Sequence, residues 1–168
     1  DIVILGGLTN DTIVGYYSGA DKLIGCIKQA VSAVNAAVYP YISKVMQESI
    51  ELGLHFLKKQ LLVYTVSGVL GGAVLYLLCP CGIPWLLGEK YIPSIGPLQV
   101  MAFVPLVVAM SNVMWYETML PLGMEKIYSK VLITASIFNL IIICPLISWK
   151  GAEGTALAVL CTETMVTV

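Results

Sequence analysis

The stretch GYYSGADKLIGCIKQAVSAVNAAVYPYISK, residues 15–44, decides the fold, because it is apolar enough to enter a membrane yet carries polar residues at helical spacing. At roughly 100° per residue, one helix face collects the polar and small residues within about 60° of Lys28. They are Asp21, Gly25, Ser32, Asn35 and Tyr39. The opposite face holds mainly Leu, Ile, Val and Ala. The pattern therefore predicts a membrane helix with one polar side.

Lys28 is the residue in this stretch that points to a function. A charged side chain at membrane depth is costly unless it faces water or a partner. Because Lys28 lies near the middle of the segment, we interpret it as lining a polar cavity, with Ser32 and Asn35 beside it. In the alternative interpretation, the Lys28 amine reaches the membrane surface along its flexible stem, and Ser32 and Asn35 hydrogen-bond to neighbouring helices.

The composition indicates a polytopic membrane protein. Of the 168 residues, 58% are hydrophobic and 11% are charged, against about 25% charged residues in an ordinary soluble domain. All nine basic residues are lysine and the net charge is −1, so we expect no nucleic-acid partner and no arginine clamp for phosphate. The five cysteines lack metal-ligand spacing and a CxxC motif, so we expect neither a metal nor a cofactor.

Hydropathy along the chain predicts an all-α bundle of about six membrane segments. These are residues 1–8, 15–40, 61–79, 98–120, 131–148 and the stretch from 155 onward. The first segment is too short to span a bilayer, and the last stops inside apolar sequence. We therefore expect the chain to be an interior piece of a longer protein.

The connections between these segments predict the topology. Residues 43–60, the longest relatively polar stretch, are expected to form a loop with a short amphipathic helix at the membrane surface. Residues 80–97 are rich in Pro and Gly and are expected to form a re-entrant or surface-lying connection. Lysines in 43–60 and 121–130 outnumber those in 80–97 and 148–154 by five to two, so we predict that the first two connections are cytoplasmic.

Two local signals are interpreted as structural rather than functional. Gly68 and Gly72 form a GxxxG pattern, which allows another helix to approach closely. We read it as helix packing and not as proof of a dimer.

Asn10 begins the triplet Asn-Asp-Thr, which matches a glycosylation sequon. A three-residue match is weak, so we predict instead that Asn10 or Asp11 serves in a turn or in a helix cap.

Short motifs along the chain carry a family resemblance. They are VGYYSGADK at 14–22, VYPYIS at 38–43, GEKY at 88–91, LPLG at 120–123 followed by Lys126, and KGAEGTA at 150–156 followed by Thr162 and Glu163. In this order and spacing they resemble the second half of the polysaccharide and O-antigen flippases in the multidrug/oligosaccharidyl-lipid/polysaccharide exporter superfamily. The resemblance covers nearly the whole chain.

The resemblance implies a multi-pass transporter of the bacterial inner membrane that performs no covalent chemistry. Such proteins carry an oligosaccharide linked to undecaprenyl diphosphate by alternating access between two six-helix bundles. Residues 1–168 would then be one bundle of a twelve-helix protein. The implied partners are the missing N-terminal bundle, membrane lipids and the lipid-linked oligosaccharide.

The anionic substrate implied by the resemblance suggests roles for the polar residues. Lys28 would attract the diphosphate or an acidic sugar, while Ser32, Asn35 and Asn112 would hydrogen-bond sugar hydroxyls. Three prolines inside predicted segments are candidate bending points for the transport cycle: Pro40, Pro105 and Pro145.

Rival functions stay open. A cation-coupled multidrug antiporter of the same superfamily would need a buried carboxylate. The candidates are Glu117 and Glu163. Both lie near predicted span ends, so the alternative is that they are solvated at the membrane surface. A membrane-embedded glycan polymerase or acyltransferase would need a convergent catalytic set. The single histidine, His55, and the absence of arginine argue against it, so we assign no catalytic residue. The fragment alone would also be inert if the cavity needs its second bundle.

Overall fold

The computed structural model describes residues 1–167, and these form an all-α bundle, as predicted. The helices are α1 (Ile2–Leu8), α2 (Asp11–Glu48), α3 (Ile50–Leu86), α4 (Ile95–Met101), α5 (Val104–Ser111), α6 (Glu117–Met119) and α7 (Glu125–Thr167). A 3-10 helix, Glu89–Ser94, precedes α4, and a π-helical turn, Asn112–Tyr116, joins α5 to α6.

Three helical segments of the described chain are long and apolar enough to cross a membrane. They are α3, the composite segment Glu89–Met119, and α7. Both α3 and α7 turn large apolar side chains outward, among them Leu62, Leu70, Leu77, Ile133 and Ile141. Such surfaces are favourable in lipid and costly in water. The chain is therefore a multi-pass membrane protein.

Helix α2 is longer than its predicted segment. It begins after Asn10, whose side-chain oxygen accepts a hydrogen bond from the Ile13 amide at 3.0 Å. Of the alternatives predicted for Asn10 and Asp11, the helix cap formed by Asn10 is confirmed. The predicted segment ends at residue 40, but the helix passes through Pro40 and continues to Glu48. A proline ring removes one backbone hydrogen bond, and the long helix tolerates that loss.

Residues 43–60 do not form a separate loop and surface helix. Residues 43–48 complete α2, and residues 50–60 form the first turns of α3. Ser49 joins the two helices in an extended conformation, and its hydroxyl accepts from the Leu52 amide at 3.5 Å. The amphipathic pattern in this stretch thus belongs to the ends of two long helices that meet at one residue.

Two further predicted connections are mainly helical. Helix α3 passes through Pro80 and Pro84 to Leu86, so the connection predicted at 80–97 shrinks to a turn at Gly88 and the 3-10 helix. Residues 148–154 continue α7 but contain a sharp break at Gly151, with φ 54° and ψ −120°. Counting the two arms of α7 separately, the described residues form six helical segments, which is the predicted number. Helix α2, predicted to enter the membrane, is not among the three described segments that are long and apolar enough to cross it.

Two apolar clusters hold the segments together. The larger joins α1 to α5 and both arms of α7, and the smaller lies where α2 meets α3 near the π-helical turn. On α3, a Cβ atom at Gly68 would lie 2.7 Å from Leu106 Cδ1, and one at Gly72 would lie 2.7 Å from Phe103 Cδ1. The GxxxG pattern therefore serves helix packing within the chain, as predicted.

Candidate functional site

Two adjoining cavities lie between α7 and its neighbours. The smaller, about 310 Å³, is lined by polar side chains of α2, by the second arm of α7 and by residues 1–3 at the start of α1, Asp1 among them. The larger, about 550 Å³, is lined by the end of α5, the π-helical turn and both arms of α7. Val159 and Glu163 line both cavities. We call the combined space the polar groove.

Lys28 lines the smaller cavity, together with Tyr17, Asp21 and Glu163. Its side chain is half-buried. Within residues 1–167, no carboxylate oxygen lies within 4 Å of the Lys28 amine. The Lys28 amine therefore lies in a partly enclosed space with Glu163 lining the same cavity, but it is not fixed against a carboxylate within 4 Å. A lysine side chain in such a place can contact a ligand.

Asn112 borders the larger cavity from the π-helical turn. Across the cavity, the Asn139 amide on the first arm of α7 donates to the Thr162 hydroxyl on the second arm at 2.9 Å. This bond ties the two arms together below the break at Gly151. The larger cavity thus presents amide and hydroxyl groups, which suit the hydroxyls of a sugar.

The four predicted cavity residues do not lie together. Lys28 and Asn112 border different parts of the polar groove, whereas Ser32 is exposed and lines neither part. Asn35 is only 3% exposed, and its Oδ1 accepts a hydrogen bond from the Tyr64 hydroxyl on α3. Residues on one helix face meet different neighbours along its length, because α2 contacts α7 around Lys28 but α3 around Asn35.

The three candidate bending prolines lie in different settings. Pro40 and Pro145 are exposed inside α2 and the first arm of α7. Pro105 is buried in the first turn of α5, a position at which proline fits a helix well. It marks the start of a helix after the interruption at residues 102–103. Their role as bending points stays a prediction.

Sequence reasoning missed part of the groove and misplaced one carboxylate. Asn139 and Thr162 were not assigned to a site. The sequence predicted a connection at 148–154 between two segments, but it did not show that these two side chains would meet across it. Glu117 was expected near a solvated span end, but it is completely buried. The π-helical turn that precedes Glu117 has no recognisable sequence signal, so the direction of its side chain could not be predicted.

The chain resembles two curated proteins along almost its whole length. A "Putative O-antigen transporter" of Escherichia coli (strain K12) is 27% identical over 166 residues, which are 99% of this chain and 40% of that protein. A protein of the same name from Shigella dysenteriae is 29% identical over 168 residues, 41% of its length. No protein-family model and no solved structure matches the chain.

These similarities bear directly on the resemblance drawn from the short motifs. The chain spans about 40% of the length of the curated relatives that it matches. Membrane-crossing helices, a polar groove between them and similarity over the whole chain to two O-antigen transporters agree with one another. The predicted resemblance to the O-antigen and polysaccharide flippases is therefore confirmed.

Proposed function

We propose that this chain forms part of a transporter that carries a lipid-linked oligosaccharide across the bacterial inner membrane. The substrate class is an O-antigen or other polysaccharide repeat unit on undecaprenyl diphosphate, and the mechanism is alternating access without covalent chemistry. The observation that carries the proposal is Lys28, a half-buried amine that lines the polar groove of a membrane bundle without an ion-pair partner among residues 1–167.

In this proposal the two parts of the groove contact different parts of the substrate. Lys28 attracts the diphosphate or an acidic sugar, since it supplies the positive charge of the smaller cavity. Asn112, Asn139 and Thr162 offer hydrogen bonds to sugar hydroxyls in the larger cavity. Asp21 and Glu163 line the smaller cavity too, and their carboxylates accept hydrogen bonds from hydroxyls. They also limit how tightly an anion is held, which favours release.

The proposal also assigns places to the remaining candidates. Ser32 lies on an exposed face of α2 that a second bundle would cover, and there it would complete the substrate path. Asn35 contributes through the bond to Tyr64, which holds α2 against α3. Bending at Pro40, Pro105 and Pro145 would accompany the change between inward-open and outward-open states.

Deletion of the gene, followed by complementation with the complete gene, tests this function. In a bacterium that makes a surface polysaccharide, loss of the complete protein should abolish the surface polymer, and lipid-linked repeat units should accumulate on the cytoplasmic side. Both changes are read from gels of surface glycan and from radiolabelled lipid extracts. Normal surface polymer in the deletion strain, with no redundant transporter gene, would refute the proposal.

One observation supports a second candidate function. The complete burial of the Glu117 carboxyl group is what a cation-coupled multidrug antiporter of the same superfamily would need. Reconstituted complete protein should then expel a cationic dye in response to an imposed sodium or proton gradient. Dye efflux together with unchanged surface polysaccharide in the deletion strain would favour the antiporter.

A further inference from the structure

An apolar cavity of about 320 Å³ lies between α2, α3 and α5. Its walls are Ala, Val, Leu, Ile, Gly and Pro residues, together with one tyrosine and one serine. We call this cavity the apolar slot. Ile27 lines the slot, whereas the next residue, Lys28, lines the polar groove. The two spaces therefore lie on different sides of α2 and offer opposite chemistry to a ligand.

The two hydroxyl groups that line the slot are already used in hydrogen bonds. The Tyr64 hydroxyl donates to Oδ1 of Asn35. The Ser67 hydroxyl donates to the carbonyl oxygen of Val63 in its own helix at 2.7 Å. A buried water needs about two to four polar partners, and the slot does not supply them. A space of this kind suits hydrocarbon, because an empty one deprives its walls of packing contacts.

The slot opens toward the lipid. Val34 of α2 and Gly71 of α3 are exposed, whereas Ala109 of α5 is only 4% exposed. The opening therefore lies between α2 and α3, and α5 forms the floor. Helix α3 and the composite segment that contains α5 are both long and apolar enough to cross a membrane. Next to the opening, α3 turns Leu70 outward, so the slot continues an apolar surface that faces acyl chains.

The dimensions of the slot fit a single hydrocarbon chain. Tyr64 and Leu75 both line it, and the eleven positions between them correspond to about 16 Å of helix. A volume of about 320 Å³ spread over this length gives a width of about 5 Å. A helix from a second bundle, about 10–12 Å across with its side chains, is too wide to enter. A chain of carbon atoms, which contact their neighbours at about 3.5–4.0 Å, is not.

The missing side chain at Gly71 keeps the slot open. A Cβ atom at Gly68 or Gly72 would lie 2.7 Å from a side-chain atom of α5 or of residue 103, but one at Gly71 would meet nothing within 4 Å. We propose that the apolar slot binds one unbranched acyl chain of a bilayer phospholipid. An isoprenoid chain carries regularly spaced methyl branches, for which a space one chain wide leaves no room. The bound acyl chain fills the gap between α2, α3 and α5, whatever the polar groove transports.

Photolabelling of the complete protein tests this site. The protein is reconstituted into phosphatidylethanolamine vesicles in which a small share of the lipid carries a diazirine at the middle of one acyl chain. After irradiation, the labelled residues are located by mass spectrometry of peptides. We expect label on the buried floor residues Ala102, Pro105 and Ala109, which only a chain inside the slot can reach. Gly71→Leu, which fills the slot, should lower this label at least about tenfold, as loss of about 1.4 kcal/mol of binding would do.

The matched control is Gly82→Leu. Gly82 also lies in α3 and has open space for a side chain, but it is outside the slot, so the floor label should stay at the wild-type level. A wild-type protein without label on the floor residues would overturn the proposal, and so would an unchanged label in folded Gly71→Leu. If polyprenyl phosphate removes the label at a concentration at which unlabelled phosphatidylethanolamine does not, the slot holds an isoprenoid and the acyl-chain assignment is wrong.

Discussion

The Tyr64 hydroxyl on α3 donates a hydrogen bond to Oδ1 of Asn35 on α2, at 2.5 Å. The bond turns Asn35 toward α3, although Asn35 shares a helix face with Lys28, which borders the polar groove. Asn35 is almost fully buried. A polar residue predicted to bind substrate thus connects two helices, the second of the two roles considered for it.

Removal of the Tyr64 hydroxyl should destabilise the protein. Tyr64→Phe leaves the buried Asn35 oxygen without its donor, and this should cost about 1–3 kcal/mol. The measurement is the midpoint of thermal unfolding of the complete protein in detergent. Tyr76→Phe, which alters a 45% exposed tyrosine on the same helix, should change the midpoint little. Equal effects of the two substitutions would contradict the structural role of the bond.

Two glycines of α3 should respond differently to alanine. In Gly72→Ala the new methyl group would lie 2.7 Å from Phe103 Cδ1 and 3.2 Å from the Ala102 carbonyl oxygen, and overpacking of this kind costs about 1–3 kcal/mol. In Gly71→Ala the methyl group meets nothing within 4 Å, and alanine favours helix. The midpoint of thermal unfolding should fall for Gly72→Ala. For Gly71→Ala it should stay the same or rise. The reverse order would refute this packing.

Gly151 should not tolerate a side chain. Its φ of 54° with ψ of −120° at the break in α7 is a positive-φ conformation that glycine adopts readily, and a residue with a side chain there costs on the order of 1–3 kcal/mol. Gly151→Ala should lower the unfolding midpoint and straighten the joint between the two arms. Gly25→Ala in α2, where a methyl group has open space, is the matched control. If Gly151→Ala is as stable as Gly25→Ala, the break at Gly151 is not required.

The sequence predicted the parts of the fold that follow from hydropathy and spacing. The spans in α3, in Glu89–Met119 and in α7, the helix cap at Asn10, the packing glycines and the family resemblance could be read from the sequence. The predicted membrane segment 15–40 lies in α2, which is not among the described segments apolar enough to span. The ends of the helices were harder to predict. Pro40, Pro80 and Pro84 suggested interruptions, but α2 and α3 continue through them. A local pattern predicts that a helix forms, but it does not show how far the helix extends beyond the pattern.

The candidate site was predictable only in part. Lys28 was singled out because a charge in an apolar helix is costly, and the structure places it beside a cavity. The partners of Lys28 depend on which helices meet, and this is a property of tertiary packing. Glu117 shows the same limit: its burial follows from a π-helical turn and from the contact with α3, and neither leaves a pattern in the sequence.

The most direct measurement of the central claim compares Lys28→Gln with Lys22→Gln in the complete protein. Each variant is expressed at wild-type level in the deletion strain, and surface polysaccharide is quantified. Lys22 is exposed on the same helix, so Lys22→Gln should restore wild-type amounts. Lys28→Gln should reduce them at least about tenfold, as a loss of about 1.4 kcal/mol would do. Wild-type polysaccharide with Lys28→Gln would contradict the assignment of Lys28 to the transport path.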